Sequence, residues 1–457
     1  MSRKVYPVCI VGSGLAGSEC AWQLLKRGFE IAMIEMRPAR MSPAHHTAKP
    51  AELVCSNSLR SNDIANAVGL LKEEMASLDS VVIRSAYKSR VPAGSALAVD
   101  RDVFSDFISE ALGSYKNLAK IQDVVVAINK SQDIIDVVLE SGESVFCSHV
   151  VVATGPLTDE KLATWISNLT GEDSLYFYDS IAPIVEFDSI DMKRAFRGNR
   201  YGKGDDNEGD YINCPLSQEQ YERFIDEINN AELTPVHDFD KAQFFDGCLP
   251  IEEMVRRGRE TLRFGPMKPV GFNEVTETPP HAIVQLRQDN VHGTLYNMVG
   301  FQTRMKWGEQ KRIFKMIPGL ENAEFVRLGA MHRNTYLCSP RQLGEGLESN
   351  RFAGLYFAGQ ITGCEGYVES AATGMYVGIY LSKKLCLKNL PLPPQETALG
   401  ALVHHILRGS PENYQPMNVN FGLFSPLEQR VKKFDKKMEI VKRAVRNFRE
   451  WCYDHVD

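Results

Sequence analysis

The hydrophobic pattern of this chain changes period twice within its first thirty-five residues. Val5 to Val11 is an almost unbroken apolar run, the pattern of a strand buried on both faces. Gly12-Ser13-Gly14-Leu15-Ala16-Gly17 follows, and from Leu15 to Lys26 the apolar residues recur at helical spacing. After Gly28, Ile31 to Glu35 predicts a second strand that ends in an acid. Arg37 to Asn66 is polar and too long for a simple connector. Asp100 to Leu112 predicts an amphipathic helix and Ile121 to Ala127 a strand. Ile134 to Leu139 and Ser144 to Phe146 predict a hairpin around Ser141-Gly142, and His149 to Ala153 a further strand running into Thr154-Gly155.

From about Thr158 to Gly329 the pattern changes character. It mixes strands (Pro183 to Phe187, Ala282 to Leu286), a helix (Gln218 to Asn230) and a polar loop (Arg197 to Asp210). Gly354 to Gln360 then predicts a strand entering a Gly turn, with a helix from Val368 to Leu381. The end of the chain, Pro426 to Tyr453, predicts a basic helix, with nine Lys/Arg against two acids between Arg430 and Arg449.

The opening unit has the layout of a dinucleotide site. Gly12 permits a tight turn, Gly14 lets a pyrophosphate approach the backbone, and Gly17 lets the helix pack close to the strand. Ser13, Leu15 and Ala16 complete the turn, whose helix N-terminus offers unpaired N–H groups to an anion. Glu35, 21 residues after Gly14, is placed to accept from ribose hydroxyls. Thr154-Gly155 and the late turn around Gly359, Gln360 and Gly366 are the other candidate cofactor contacts. A nucleotide unit resumed more than 300 residues downstream favours FAD over NAD. The predicted fold is α/β: an FAD-binding, Rossmann-like domain of glutathione-reductase type, split by an inserted α+β domain. The boundaries expected are 1–157 and 330–457 for the FAD-binding parts and 158–329 for the insertion. No second G-x-G-x-x-G is present, so a nicotinamide reductant is expected to bind transiently.

Composition narrows the classes. The 457 residues suffice for two or three domains, and no apolar run nears the ~20 residues needed to cross a bilayer. Met-Ser-Arg-Lys leads straight into the first strand, so no targeting peptide and a cytoplasmic location are expected. The ten cysteines lack C-x-x-C spacing, and no metal site is expected. A net charge of −6 gives no global attraction to nucleic acid, so an RNA partner would need a local basic face. Such faces are the C-terminal helix and Arg304, Lys306, Trp307, Lys311 and Arg312, although charge runs are more often solvated surface. His45, His46 and His332 are candidate acid/base groups, or simply hydrogen-bonding residues. Three thiols lie in polar or turn-like surroundings: Cys55 in A-E-L-V-C-S-N-S, Cys214 in N-C-P-L and Cys248 in F-F-D-G-C-L-P. Beside arginines such thiols become nucleophiles, and buried they are inert.

The motifs G-S-G-L-A-G-S-E, A-E-L-V-C-S-N-S-L-R-S-N, F-F-D-G-C-L-P-I-E, K-W-G-E-Q-K-R and Y-F-A-G-Q-I-T-G-C-E-G-Y-V-E-S resemble, in order and along nearly the whole chain, the TrmFO family of folate- and FAD-dependent tRNA (uracil-5-)-methyltransferases. The related GidA-type flavoproteins share the Y-F-A-G turn but carry a longer C-terminal region. The resemblance implies 5-methyluridine formation at position 54 in the T loop of tRNA. It implies 5,10-methylenetetrahydrofolate as carbon donor, FAD as cofactor and NAD(P)H as reductant, with no membrane or metal partner. It assigns Cys55 and Cys248 as the active-site thiols, with Cys214 the lesser choice, and leaves open which one attacks uracil. The same chemistry on ribosomal RNA is the alternative.

Overall fold

The structure, a computed structural model, describes residues 4–42, 44–171, 175–180, 182–202, 209–234, 249–272, 279–428, 431–432 and 435–456. Its main sheet is mixed, with a parallel core flanked on one side by an antiparallel hairpin. Leu118–Gln122, Ile31–Glu35, Val5–Val11 and Ser144–Val152 lie side by side in that order. Leu355–Phe357 returns from far along the chain to pair with Val150–Val152. Helix Leu15–Leu25 is buried along its whole length, because Tyr367–Leu385 packs on its outer side. The two helices meet so closely that a Cβ on Gly374 would lie 2.1 Å from the Ala16 carbonyl oxygen.

Two expected elements divide differently. The expected hairpin arm Ser144 to Phe146 and strand His149 to Ala153 form one strand, Ser144–Val152. Its first half pairs antiparallel with Ile134–Leu139 and its second half parallel with Leu355–Phe357, while Val5–Val11 runs beside both. The expected strand Ile121 to Ala127 is two strands, Leu118–Gln122 and Val125–Ser131. The step falls at Asp123-Val124. There the Asp123 N–H still donates to Glu35 O (3.1 Å), whereas Val124 O already accepts from Glu140 N (2.8 Å) on the hairpin side.

A second sheet is antiparallel, ordered Phe196–Arg197, Tyr211–Leu216, Ala282–Gln288, Leu295–Met298, Ile184–Glu186 and Phe325–Arg327. Helix Gln218–Asn229 covers it, started by a capping box between Ser217 and Gln220. Its core runs from Val185 to Ala323. The core of the parallel sheet stops at Ile166 and resumes at Leu337, so the antiparallel module interrupts the other. Within the polar stretch after Glu35, Ser58–Ser61 forms a small antiparallel sheet with Ala96–Val99 and Arg90–Val91.

The C-terminal helix is Lys436–His455, beginning ten residues later than the charge pattern suggests. Ile440, Val441, Ala444, Phe448 and Trp451 form its buried stripe, so the basic residues are the outer face of an amphipathic helix. No helix among the described residues is long and apolar enough to cross a membrane.

Candidate functional site

A cleft opens at the carboxyl ends of the parallel strands, where open α/β sheets place their ligands. Gly12, Gly14, Leu15, Ala16, Glu35, Thr154, Gly155 and Gln360 line it. Ser13, Gly17, Gly359 and Gly366 are not part of that lining. Gly12 has φ +99°, and a Cβ there would lie 2.6 Å from Ala153 O, so protein packing alone requires glycine. A Cβ on Gly14 would meet nothing within 4 Å. Packing therefore leaves room at Gly14, and that room faces the cleft. Gly14 is also the N-cap of Leu15–Leu25 without a capping side chain, and the first turn carries no acid. Open space beside uncapped N–H groups fits the pyrophosphate of FAD.

Glu35 is already engaged. Its Oε2 accepts from Ser13 N (2.9 Å), Ser13 Oγ (2.6 Å) and Arg37 Nη2 (3.1 Å), and its Oε1 from Arg37 N and Nε. Burial alone would raise its pKa, but Arg37 and then Ser13 more than offset that and hold it down at about 2. A ribose hydroxyl can reach this carboxylate only by replacing one of those donors. Arg37, almost wholly buried, also donates to Thr47 O and Glu52. Sequence reasoning missed it; an arginine two residues beyond the acid was the signal. His45 sits against this cluster with Nδ1 2.5 Å from Ser42 Oγ, and burial and then Arg37 lower its pKa to about 4. His46 is exposed, and its backbone N–H donates to Glu52. The side chain of His332 lies outside the described residues.

Cys55 is half-buried beside the cleft, next to the wall residue Val54. Its N–H donates to the hydroxyl oxygen of Tyr367 (2.7 Å), the first residue of helix Tyr367–Leu385 and another cleft residue. Arg101 donates to Leu53 O (2.6 Å) and Cys55 O (3.1 Å), and its Nε pairs with Asp289 at 3.2 Å. Arg327 Nη2 donates to Val54 O (2.5 Å). Asn57, fully buried, donates to Val99 O and Gln288 O and accepts from Arg287 Nε (3.0 Å). The loop 53–57 is thus clasped by Arg101 and Tyr367 of the parallel module and by Arg287, Gln288 and Arg327 of the antiparallel one, with Asp289 holding Arg101.

The remaining candidates separate. Cys214 is fully buried in Tyr211–Leu216, and burial raises its pKa to about 12, so it is a core thiol. Cys248 lies outside the described residues. Arg304 does not belong to a basic face. It is buried, with Nη2 2.9 Å from Glu253 and its backbone N–H on Glu252. Trp307 remains exposed, beside Lys306, which pairs with Glu232. Gln360 donates to Glu365 (2.6 Å), and the Gly359 N–H donates to Thr373 (2.7 Å), which ties the late turn to its helix.

The parallel strands, the uncapped helix and the empty-sided glycine define a dinucleotide-binding α/β fold, and the chain belongs to the GidA family. The family described as "Glucose inhibited division protein A" matches residues 7–389. A solved structure of Aquifex aeolicus GidA superposes with TM-score 0.72 at 16% identity, covering 98% of this chain and 76% of that one. Within this group the chain belongs to the TrmFO family. It is 50% identical over 445 residues to the methylenetetrahydrofolate–tRNA-(uracil-5-)-methyltransferase TrmFO of Geobacter sulfurreducens, covering 97% of this chain and 98% of that protein. To its counterpart in Bacillus subtilis it is 49% identical over 440 residues, covering 96% and 97%.

Proposed function

We propose that this chain methylates C5 of a T-loop uracil in tRNA, taking the carbon from 5,10-methylenetetrahydrofolate. The observation that carries this reading is the Cys55 loop, held beside the cleft at the Gly12–Gly17 turn in a chain half identical to the TrmFO enzymes. FAD supplies the electrons that reduce the transferred carbon to a methyl, and NAD(P)H restores them. The Gly12–Gly17 turn and the Leu15 helix end hold its pyrophosphate. Glu35 holds the ribose after exchanging one present donor. We divide the labour between residues 1–157 and 330–457, which hold the flavin, and 158–329, which meets them at the Cys55 loop.

C5 of uracil is a weak nucleophile until a thiolate adds to C6. The sulfur electron pair forms an S–C6 bond, and the C5=C6 pair becomes available for attack from C5. After the new carbon–carbon bond forms, the C5 proton passes to a base as the bond from the transferred carbon to its donor nitrogen breaks and releases tetrahydrofolate. A hydride equivalent then completes the methyl as the S–C6 bond breaks and returns the thiolate. Cys55 and Cys248 share the addition to C6 and the proton removal. The target uridine leaves its stack to reach them, at a cost of about a few kcal/mol. An enzyme with these substrates works where tRNA and reduced folate meet, in the cytoplasm.

The deciding experiment incubates the holoenzyme with labelled methylenetetrahydrofolate, NAD(P)H and either tRNA or ribosomal RNA, followed by mass spectrometry of the nucleosides. Label in 5-methyluridine of tRNA supports the reading. Label confined to ribosomal RNA, or absent from both, refutes it.

A further inference from the structure

Around the Cys55 loop the charges do not balance. Arg101, Arg287 and Arg327 converge on residues 54–57, and the one carboxylate among them, Asp289, is paired with Arg101 at 3.2 Å. Arg287 is only 8% exposed, and among the described residues its side chain donates only from Nε, to Asn57. Arg327 uses Nη2 on Val54 O. Neither pairs with a carboxylate among the described residues. Arg101 and Arg327 grip the carbonyls of Cys55 and of the residue before it, so the surplus surrounds the segment that carries the thiol. Asp289 is the one carboxylate whose charge acts on Arg101, Arg287 and Arg327 together, and three guanidinium charges sharing one carboxylate away from bulk water are costly. Such an arrangement persists where a negative charge arrives during the working cycle.

We propose that Arg287 and Arg327 form a seat beside Cys55 for an oxyanion carried by the RNA substrate. This rests on the reading of the chain as an RNA uracil methyltransferase. The oxyanion has two sources. One is the phosphodiester flanking the target uridine, charged from the moment of binding. The other is O4 of the uracil, which becomes charged when a thiolate adds at C6 and the displaced C5=C6 pair is delocalised onto the C4 carbonyl, with no group leaving.

The seat is tested on the FAD-loaded enzyme without RNA or folate. Cys55 is alkylated with anionic iodoacetate and with neutral iodoacetamide, and modification is followed by peptide mass. Exposed Cys386 of the same chain is the internal reference. A cationic seat raises the iodoacetate-to-iodoacetamide ratio at Cys55 above that at Cys386 by about fivefold. Arg287→Gln or Arg327→Gln removes most of that excess, and Arg287→Lys or Arg327→Lys restores it. Because the neutral reagent reports general accessibility, a misfolded variant is recognised by both rates changing together. Wild-type protein gives a second reading that needs no variant: inorganic phosphate slows iodoacetate at Cys55 and leaves iodoacetamide unaffected. Equal ratios at the two cysteines, or no protection by phosphate, overturn the seat.

Methylation kinetics of the Gln variants then assign the source. A raised KM for RNA with unchanged kcat, and a shallower salt dependence, identify the phosphodiester. A kcat lowered about tenfold or more with unchanged KM identifies the uracil oxygen. Unchanged kcat and KM overturn the proposal. Alkylation requires no RNA, so loss of the seat and loss of the methyltransferase reading are separate results.

Discussion

Replacing Gly14 by alanine and, separately, Gly17 by alanine tests whether the turn after the first strand is shaped by a ligand or only by packing. At Gly14 the backbone is extended (φ −65°, ψ −168°), which alanine adopts freely, and the added Cβ meets no atom within 4 Å. Without cofactor the change therefore costs at most about 0.5 kcal/mol. With cofactor, the methyl stands where the pyrophosphate approaches. Losing one or two charge-assisted hydrogen bonds removes about 2–4 kcal/mol of binding, which weakens FAD by about 30- to 1,000-fold. Gly17 is the opposite case. Its Cβ would lie 1.9 Å from Gly12 O, against a carbon–oxygen contact of about 3.3 Å or more. The helix must retreat from the turn, at about 3 kcal/mol or more of overpacking, so the apo-protein melts several degrees lower. The assay is thermal denaturation of both apo-variants, with FAD titrated by its fluorescence quenching. If Gly14→Ala binds FAD like the wild type, or lowers the apo melting temperature as much as Gly17→Ala does, the assignment of the cleft fails.

Cys55→Ala and Cys248→Ala each keep FAD bound while RNA methylation falls by about 100-fold or more; full activity in both variants would remove the thiols from the mechanism. Lys72→Met destabilises the parallel module. Buried Lys72 Nζ donates to the carbonyls of Leu59 (2.8 Å), Arg60 (3.3 Å) and Ser61 (2.7 Å). Stranding these acceptors costs about 3 kcal/mol or more, read as a lower urea midpoint; an unchanged midpoint contradicts this. His45 gives stability a pH dependence of defined sign. Its pKa is about 4 in the fold and about 6.5 unfolded. Between those values the unfolded chain binds the proton and the fold does not, so stability falls as pH drops from 6.5 to 4, by at most about 1.4 kcal/mol per unit from this group. His45→Gln flattens that part of the profile, and an equally steep profile in the variant assigns the effect elsewhere.

What the chain discloses in advance is what neighbouring residues decide together. Val5–Val11, the turn, Leu15–Leu25 and Ile31–Glu35 are predicted almost residue for residue, because burial on both faces and a glycine turn leave local signatures. Ser144–Val152 looks like two pieces, since it changes partners halfway along and its pattern changes with them. Helices Ala67–Ser77 and Val81–Lys88 escape notice. Ala67–Ser77 buries even Lys72 and Glu74, which breaks the expected alternation of apolar and charged faces. Arg304 is misread for the same reason. In T-R-M-K-W-G it looks like part of a basic surface, but its acids Glu252 and Glu253 lie about fifty positions earlier. Cys55 is legible as a thiol in a polar loop. The arginines around it are not, because Arg101 is 46 residues away and Arg327 more than 270 from the carbonyls they grip.

That long-range clasp bears on how the thiol proposed as reactive is held on a loop. Ordering the five residues 53–57 costs about 1–2 kcal/mol each in backbone entropy, and left mobile the loop would spread its thiol over several ångströms. Reaction needs the attacking atom within about 3–3.5 Å of its target. Helix Tyr367–Leu385 holds the Cys55 amide, Arg101 holds the carbonyls of Leu53 and Cys55, and Arg327 and Arg287 hold Val54 and Asn57 from the antiparallel module. The two modules therefore fix Cys55 jointly, and neither alone supplies all the donors. Asp289 ties them together, because the guanidinium it pairs with is the one gripping the thiol's own carbonyl. A shift of the inserted module relative to the parallel sheet must then break the Arg101–Asp289 pair or drag the Cys55 loop with it. The insertion does more than enlarge the surface: it is part of the frame that positions the thiol.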